Sequence, residues 1–377
     1  MDRRQFMQLS AAGLLGLTVG GQISLEANRM RQNGDYSIVI LGETHFDTEP
    51  AEVYHSNYNE PVEWLNRVQR EEFRRNGEMW RERCPRLLNN AARLIDRKTR
   101  MVFQMGDLIQ GDCGMGEVHQ KMLSDVMNHF KGVLGGLPFV TVCGNHDIRG
   151  TDAEKTYHDY MPKRMSEELG VPVEKTTFSF KIGDDAFIFI DFNNPDDEAI
   201  EQCLKDTEGA RYTFIVSHGP VFPIDDGGSV RWFFHGGASE KDTEKRRYFR
   251  RKFAERNAIV LCGHTHYTEH YDWYGDGGRI TQMTMSSVWT DESLKNYELY
   301  DDGPQAFGSR NKEAGMRPDG SKVKDESALF DEYREGLRIY NRSKAQGSYK
   351  LNISKDRVSV DFHGGDSREV TQTFILR

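Results

Sequence analysis

The sequence predicts an α/β protein in which two packed β-sheets are flanked by helices. Two observations support this fold class. In the first two thirds of the chain, apolar runs of strand length alternate with longer stretches of helical character. In the last third, runs with the alternating pattern of strands follow one another without helices between them. This order of elements is typical of sheets that pack on each other and carry helices outside.

Five apolar runs provide the first strands. Each ends in a glycine or a polar turn, as buried strands commonly do. They are SIVILG (37–42), MVFQMG (101–106), PFVTVCG (138–144), FIVSHG (214–219) and AIVLCG (258–263). A hairpin is predicted across Gly-Asp-Asp, between TTFSFKI (176–182) and AFIFIDF (186–192).

Helical stretches separate these runs, and further strands close the chain. Helices are predicted at 62–82, 86–97, 116–133, 153–168 and 241–256. The later strands are RITQMTM (279–285), SYKLNI, RVSVDF and TQTFIL. Because neither a repeat nor a linker interrupts the pattern, we expect a single domain over residues 31–377. The polar, glycine-rich stretch 290–325 is predicted to be an insertion that forms a surface loop or lid.

Residues 1–30 are predicted to be an export signal rather than part of the fold. Arg3 and Arg4 precede Phe6 and a short, weakly apolar run, which resembles a twin-arginine signal, although Met7-Gln8 replaces the usual Leu-Lys. A general secretory signal or an uncleaved anchor is the alternative. The apolar run is shorter than the ~20 residues a membrane span needs. We therefore expect an exported, periplasmic protein with no membrane span in the mature chain.

The charge balance is that of a soluble protein. The 377 residues are 37% hydrophobic and 29% charged, with a net charge of -9. An acidic chain is a poor candidate for nucleic-acid binding. The strongest basic run, KRRYFRRKFAER (245–256), has Phe249 and Phe253 four residues apart. This spacing favours an amphipathic helix with a solvated basic face over a nucleic-acid surface.

Polar side chains follow each of the five apolar runs. In sheet-based α/β folds, ligand sites lie at the ends of strands, so we expect these side chains to share one cleft. Taken singly, each motif also fits a turn or a core histidine, whereas the ordered set of five predicts a functional site. The residues are Glu43 and His45, Asp107, Asn145 and His146, His218, and His264 and His266.

This series of motifs resembles the metallophosphoesterase superfamily, also called calcineurin-like phosphoesterases. The pattern of that family is Asp-x-His, Gly-Asp, Gly-Asn-His-Asp/Glu, a single His and Gly-His-x-His, and the resemblance covers roughly residues 36–290. It implies a four-layer α/β/β/α sandwich with a two-metal site. It also implies hydrolysis of phosphate mono- or diesters by a hydroxide generated at the metals.

The resemblance also implies a role for each residue of the set. The ligand set that the family pattern implies contains both nitrogen and oxygen atoms, and such a set suits Mn²⁺, Fe or Zn²⁺ better than Mg²⁺ or Ca²⁺ alone. His146 matches the family histidine that donates a proton to the leaving alkoxide. Asp107 is expected to bridge the two metals. The first metal would be held by Glu43, His45, Asp107 and His266, and the second by Asp107, Asn145, His218 and His264.

Two positions depart from the family pattern. Glu43 stands where the family has Asp, and its extra methylene implies a wider site, an altered metal preference or reduced activity. Asp47 follows His45 rather than preceding it, so it is not expected to replace Glu43. Gln110 stands where many members have a second Asp that orients the catalytic imidazole. His146 is therefore expected to rely on another carboxylate or to act as a weaker acid.

The stretch GGSVRWFFHGG (227–237) is the candidate substrate loop. Arg231 could meet the phosphate while Trp232 and His235 meet an organic group. Alternatively, the aromatic residues anchor the loop on the core. The expected substrate is a small phosphoester met outside the cytoplasm, with monoester, diester and pyrophosphate bonds all left open.

Two other functions compete with an exported phosphoesterase. One is a catalytically weakened protein of the same fold that still binds metal or phosphate, with Glu43 and Gln110 as marks of decay. The other is a nuclease. The intact second-metal set argues against decay, and the acidic balance argues against a nuclease.

Overall fold

The computed structural model describes residues 34–46, 63–226, 228–287, 303–313, 322 and 324–377. The predicted export signal (1–30) and Asp47 lie outside these residues. Within the described part of the chain, no helix is both long enough and apolar enough to cross a bilayer.

The described residues form thirteen strands. They are β1 (Tyr36–Leu41), β2 (Thr99–Gln104), β3 (Phe139–Thr141), β4 (Phe178–Ile182), β5 (Asp185–Ile190), β6 (Thr213–Ser217), β7 (Ile259–Cys262), β8 (Thr268–Gly275), β9 (Gly278–Thr284), β10 (Leu337–Ser343), β11 (Gly347–Ile353), β12 (Val358–Gly364) and β13 (Gln372–Ile375). Two mixed sheets result, with the orders β13-β12-β11-β1-β2-β3 and β10-β8-β9-β7-β6-β5-β4. In the first, β1, β2 and β3 are parallel. In the second, β5, β6, β7 and β9 are parallel.

Helices cover the outer face of each sheet. The described helices are α1 (Glu63–Ala92), α2 (Gly116–Val133), α3 (Ala153–Leu169), α4 (Asp197–Asp206), α5 (Glu240–Glu255), α6 (Gly303–Ala306), α7 (Ser309–Glu313) and α8 (Ser327–Arg334). Helices α1, α2 and α3 pack on the first sheet, whereas α4 and α5 pack on the second. The predicted α/β fold, a four-layer α/β/β/α sandwich, is confirmed.

Aromatic rings fill the space between the two sheets. Phe103 on β2 contacts Phe180, Phe187 and Phe189 of the second sheet, with ring centroids 6.3, 5.5 and 5.2 Å away. All four rings are buried. Because this apolar layer fixes one sheet against the other, the ends of β1, β2 and β3 stay aligned with those of β6 and β7.

One predicted helix break is absent. The sequence predicts separate helices at 62–82 and 86–97, whereas α1 runs through Pro85 without ending. Proline removes one backbone hydrogen bond from a helix. Here the turns around it bury Cys84, Leu87, Leu88 and Ala91 completely in the core. This burial outweighs the local cost at the proline.

Two strands of the second sheet were not predicted. Strands β8 and β10 pair with each other, and both are rich in charged residues that normally indicate surface. Two of these charges are buried as a pair, since Arg342 on β10 lies 3.4 Å from Glu269 on β8. These two residues are remote in the sequence, so the pattern of either strand alone does not reveal the pairing.

The described part of the predicted insertion at 290–325 contains the short helices α6 and α7 rather than loop alone. Phe307 between them is fully buried, and its ring centroid lies 5.0 Å from that of Phe330. The backbone N–H of Asn311 donates to Asp225 at 3.2 Å. Contacts to α8 and to Asp225 therefore order this polar segment.

Candidate metal centre and active site

The two sheets bring eight predicted site residues to one edge. Those from the first sheet follow β1, β2 and β3, and those from the second follow β6 and β7. A cleft of about 880 Å³ opens above them. Asp107, Asn145, His146, His264 and His266 line this cleft, whereas Glu43, His45 and His218 lie buried beneath it.

The backbone adopts an uncommon conformation at four predicted metal ligands. His45, Asp107, His264 and His266 have φ values of 41°, 50°, 73° and 55°, in the left-handed region. Strained backbone of this kind is maintained where the surrounding structure demands it, often at functional sites. Gly144 allows the closest approach of two loops, since a Cβ there would lie 2.0 Å from the backbone nitrogen of Asp107.

Two clusters of possible ligands share one carboxylate. One consists of His45, Asp107 and His266, and the other of Asp107, His218 and His264, with the ligand atoms of each within 4.8 Å of one another. Asp107 Oδ2 lies 3.2 Å from His218 Nε2 and 3.6 Å from His45 Nε2. Asp107 therefore occupies the position of a bridging ligand between two cation sites.

Ring nitrogens in both clusters face each other closely. His45 Nε2 lies 3.4 Å from His266 Nε2, and His264 Nδ1 lies 3.1 Å from His218 Nε2. Asn145 Oδ1 joins the second cluster at 3.2 Å from His218 Nε2. Imidazole nitrogens and oxygens that converge in this way are a suitable donor set for divalent transition metals. The residues thus fit the predicted ions.

Burial sets the charge of these groups. It holds the pKa of His45 and His264 well below the ordinary value and lowers that of His266 to about 4. For His218, burial also acts to lower the pKa, but Asp107 and Glu43 raise it to about 9. Burial acts to raise the pKa of Asp107, yet the surrounding imidazoles hold it well below its usual range. At neutral pH His45, His264 and His266 are therefore neutral and Asp107 is ionised, as metal ligation requires, whereas a metal ion in the second cluster would displace the proton from His218.

Glu43 is buried beside the clusters but belongs to neither. Burial raises its pKa to about 7, and neither carboxylate oxygen has a hydrogen-bond partner among the described residues. The carboxylate lies against Gly263, where an added Cβ would come 2.8 Å from Oε1. Burying a carboxyl group without a partner is costly, so a nearby cation would explain its position.

Substitution of Glu43 by glutamine should lower metal occupancy, because the amide keeps the side-chain length and removes the charge. We expect the affinity for one metal equivalent to fall roughly 10- to 100-fold, as for groups that support a metal site. Elemental analysis of the purified variant measures this. Glu43→Asp should bind metal at least as well as the wild type if the shorter side chain restores the family geometry.

A matched control is Glu168→Gln, since Glu168 is equally buried but lies on α3, bound to Lys131 at 2.8 Å. It should keep the wild-type metal content. Full occupancy in the Glu43→Gln protein would show that Glu43 is not a ligand.

His146 is oriented by the backbone rather than by a carboxylate. Its Nδ1 donates to the carbonyl oxygen of Gln110 at 2.9 Å, so Nε2 is the other nitrogen available to the cleft. The Gln110 side chain turns away, and its Oε1 accepts from Asn76 Nδ2 at 3.3 Å. Although Gln110 replaces the family Asp, its backbone carbonyl therefore holds the His146 imidazole in place as a neutral acceptor.

The candidate substrate loop combines both interpretations of its sequence. Phe233 and Phe234 are buried and anchor it, whereas Trp232 is 59% exposed and its ring centroid lies 5.8 Å from that of His264. Arg231 is held by Glu326 at 2.8 and 2.7 Å. The side chain of His235 is 7% exposed, with Nε2 3.0 Å from Asp197 Oδ1. All three predicted substrate residues line the cleft, and their roles stay predictions.

Phe192 and Arg149 also line the cleft, although the sequence did not single them out as site residues. Phe192 follows β5, and its ring centroid lies 5.3 Å from that of His264 and 5.6 Å from that of His218. Arg149 lies three residues after His146. Phe192 ends the predicted hairpin, so it shares the strand-end position of the other site residues. Arg149 follows the Gly-Asn-His-Asp motif closely, and this proximity was the available signal.

The sandwich carries two clusters of metal-type ligands at one edge of its sheets. The sequence profile of calcineurin-like phosphoesterases matches residues 36–268. The chain belongs to the calcineurin-like phosphoesterase family and is a metal-dependent phosphoric ester hydrolase. No curated protein matches the sequence.

Solved structures similar to this chain include three with very different sequences. GAP50, the anchor in the inner membrane complex of Plasmodium, is 14% identical over 92% of this chain and 89% of its own, with a TM-score of 0.45. PhoD is 12% identical over 91% and 69%, with a TM-score of 0.49. A dimetal phosphatase from Danio rerio is 10% identical over 91% and 99%, with a TM-score of 0.42.

Proposed function

We propose that the chain is an exported phosphoesterase that hydrolyses small phosphate mono- or diesters with two divalent metal ions. The observation that supports two ions is the position of Asp107, whose carboxylate belongs to both ligand clusters at the floor of the cleft. A single ion would need only one of these clusters. Manganese, iron and zinc are the candidates, because imidazole dominates the donor set.

Each residue then has a defined task. Ions held by the two clusters would neutralise phosphoryl oxygens and acidify a water molecule. His146 directs Nε2 into the cleft, and in its imidazolium form it can give the Nε2 proton to the departing oxygen while the Nδ1 proton stays on the Gln110 carbonyl. Phe192 and Trp232 cover His264 and limit access of bulk water.

The cleft favours a small substrate with a partly apolar leaving group. Its volume of about 880 Å³ lies in the range of small-molecule sites. The exposed face of Trp232 offers a surface for stacking an organic group. Arg231 pairs with Glu326 and also donates to the carbonyl oxygens of Gly236 and Gly237 at 3.1 and 3.0 Å, so this arginine is suited to holding the loop.

Metal analysis combined with a substrate screen tests the proposal. We expect close to two metal equivalents in the purified protein, and hydrolysis of phosphomonoesters or phosphodiesters that a chelator abolishes and added metal restores. A protein that holds metal yet hydrolyses neither class would instead be the catalytically weakened binding protein.

Export is the part of the proposal that rests on residues 1–30. Paired arginines Arg3 and Arg4 precede a short apolar run, as in twin-arginine signals. After cell fractionation, we expect the wild-type chain in the periplasm and the Arg3→Lys, Arg4→Lys double variant in the cytoplasm. Equal export of both chains would argue for a general secretory signal.

A further inference from the structure

Arg149 lies beside the proposed general acid and is held by a buried carboxylate. Its side chain is 24% exposed, whereas that of Asp112 is 0% exposed. Arg149 Nε donates to Asp112 Oδ1 at 2.8 Å, and Nη2 donates to Asp112 Oδ2. A bidentate pair of this kind fixes both the position and the plane of the guanidinium.

The backbone reinforces this pair. The N–H of Asp112 donates to the Arg149 carbonyl at 2.6 Å, and the N–H of Thr151 donates to the Cys113 carbonyl at 3.1 Å. Gly111 is needed for the approach, since a Cβ there would lie 2.1 Å from the carbonyl oxygen of His146. The loops after β2 and β3 are thus joined, and Arg149 has a set position relative to His146.

The third guanidinium nitrogen lies beside the proposed general acid, His146. Arg149 Nη1 lies 3.4 Å from His146 Nε2, the nitrogen that faces the cleft. Both residues line the cleft with Asp107 and Asn145. A phosphate group over the two clusters, with its leaving oxygen near His146, would therefore come within reach of this edge of the guanidinium.

We propose that Arg149 binds a phosphoryl oxygen of the substrate beside His146, and that Asp112 is the residue that positions it. This inference rests on the proposed phosphoesterase function. Asp112 fixes the guanidinium in the wall of the cleft beside His146, where its positive charge can meet an anion bound over the two clusters.

Binding of inorganic phosphate to the metal-loaded protein, measured by titration calorimetry, tests this role without relying on turnover. We expect Arg149→Gln to weaken phosphate binding roughly 10- to 100-fold, the range for hydrogen bonds to a charged group. Arg149→Lys should recover little of this loss, because a point charge cannot contact Asp112 and phosphate with the same fixed geometry.

Arg211→Gln is the matched control. Arg211 is 28% exposed and pairs with Asp185, which is 0% exposed, at 2.8 and 2.6 Å, but it lies outside the cleft. Its loss should lower thermal stability and leave the phosphate affinity unchanged. Equal phosphate affinity in the wild type and a folded Arg149→Gln or Arg149→Lys protein would overturn the proposal.

A double-mutant cycle tests Asp112 as a positioning residue. Asp112→Asn should weaken phosphate binding when Arg149 is present and have no further effect in the Arg149→Gln background. Additive losses would mean that Asp112 acts otherwise. If the wild type hydrolyses no phosphoester but binds phosphate through Arg149, the proposed function fails, and Arg149 is a phosphate-binding residue of a protein that is not a phosphoesterase. If the wild type hydrolyses phosphoesters but binds phosphate independently of Arg149, the proposed function stands and this inference fails.

Discussion

Asp107→Asn is expected to remove bound metal from both clusters and to abolish hydrolysis. Asp107 Oδ2 lies between His218 and His45, at 3.2 and 3.6 Å, and an amide there loses the negative charge that both ions share. Oδ1 accepts the backbone N–H of His146 at 2.7 Å, a contact that the amide oxygen can retain. We expect kcat/KM to fall at least roughly 10³-fold, which corresponds to about 4 kcal/mol of transition-state stabilisation.

Elemental analysis and steady-state kinetics on the same preparation measure these effects. Asp226→Asn is the control, because this carboxylate lines the same cleft but belongs to neither cluster. It should retain the wild-type metal content. Near-normal metal content in the Asp107→Asn protein would disprove the bridging assignment.

His146→Ala is expected to retain metal and to slow hydrolysis by roughly 10²–10⁴-fold, the usual contribution of general acid catalysis. The loss should be greatest for substrates whose leaving alkoxide is most basic, since these need the proton most. His146 belongs to neither ligand cluster, so its imidazole is not required to hold an ion. When the hydrolysis rates are plotted against the pKa of the leaving group, the rate of the variant should fall more steeply with rising pKa than that of the wild type.

The control for this experiment is His129→Ala, which removes an exposed imidazole from α2 that stacks on Phe46, with centroids 5.5 Å apart. Its leaving-group dependence should match that of the wild type. If good and poor leaving groups are slowed equally by His146→Ala, the imidazole has a role other than proton donation.

The strand-end residues of the site were predictable because each carries two local signals. An apolar run predicts the buried strand, and a following glycine or turn residue predicts where it ends. Asp107 after Gly106 and His264 after Gly263 follow this pattern, and both lie in the assembled site. Neither signal depends on residues far away in the chain.

Other features depended on partners remote in the sequence. Glu269 and Arg342 are 73 positions apart and neutralise each other inside the second sheet, where each alone resembles a surface residue. Pro85 indicates a helix break unless the burial of the surrounding turns is known. The role of Gln110 was also hidden, because its backbone carbonyl rather than its side chain contacts His146.

The sequence by itself determined the α/β class, the positions of the strand ends and the set of ligand-type side chains. These follow from hydrophobic periodicity and turn chemistry, which are local properties. The tertiary structure decided that Asp107 is shared by two clusters and that Glu43 lies beside both without joining either. It also placed Arg149 on Asp112 next to His146. Distances between loops depend on how the two sheets pack, and that packing is a property of the whole chain.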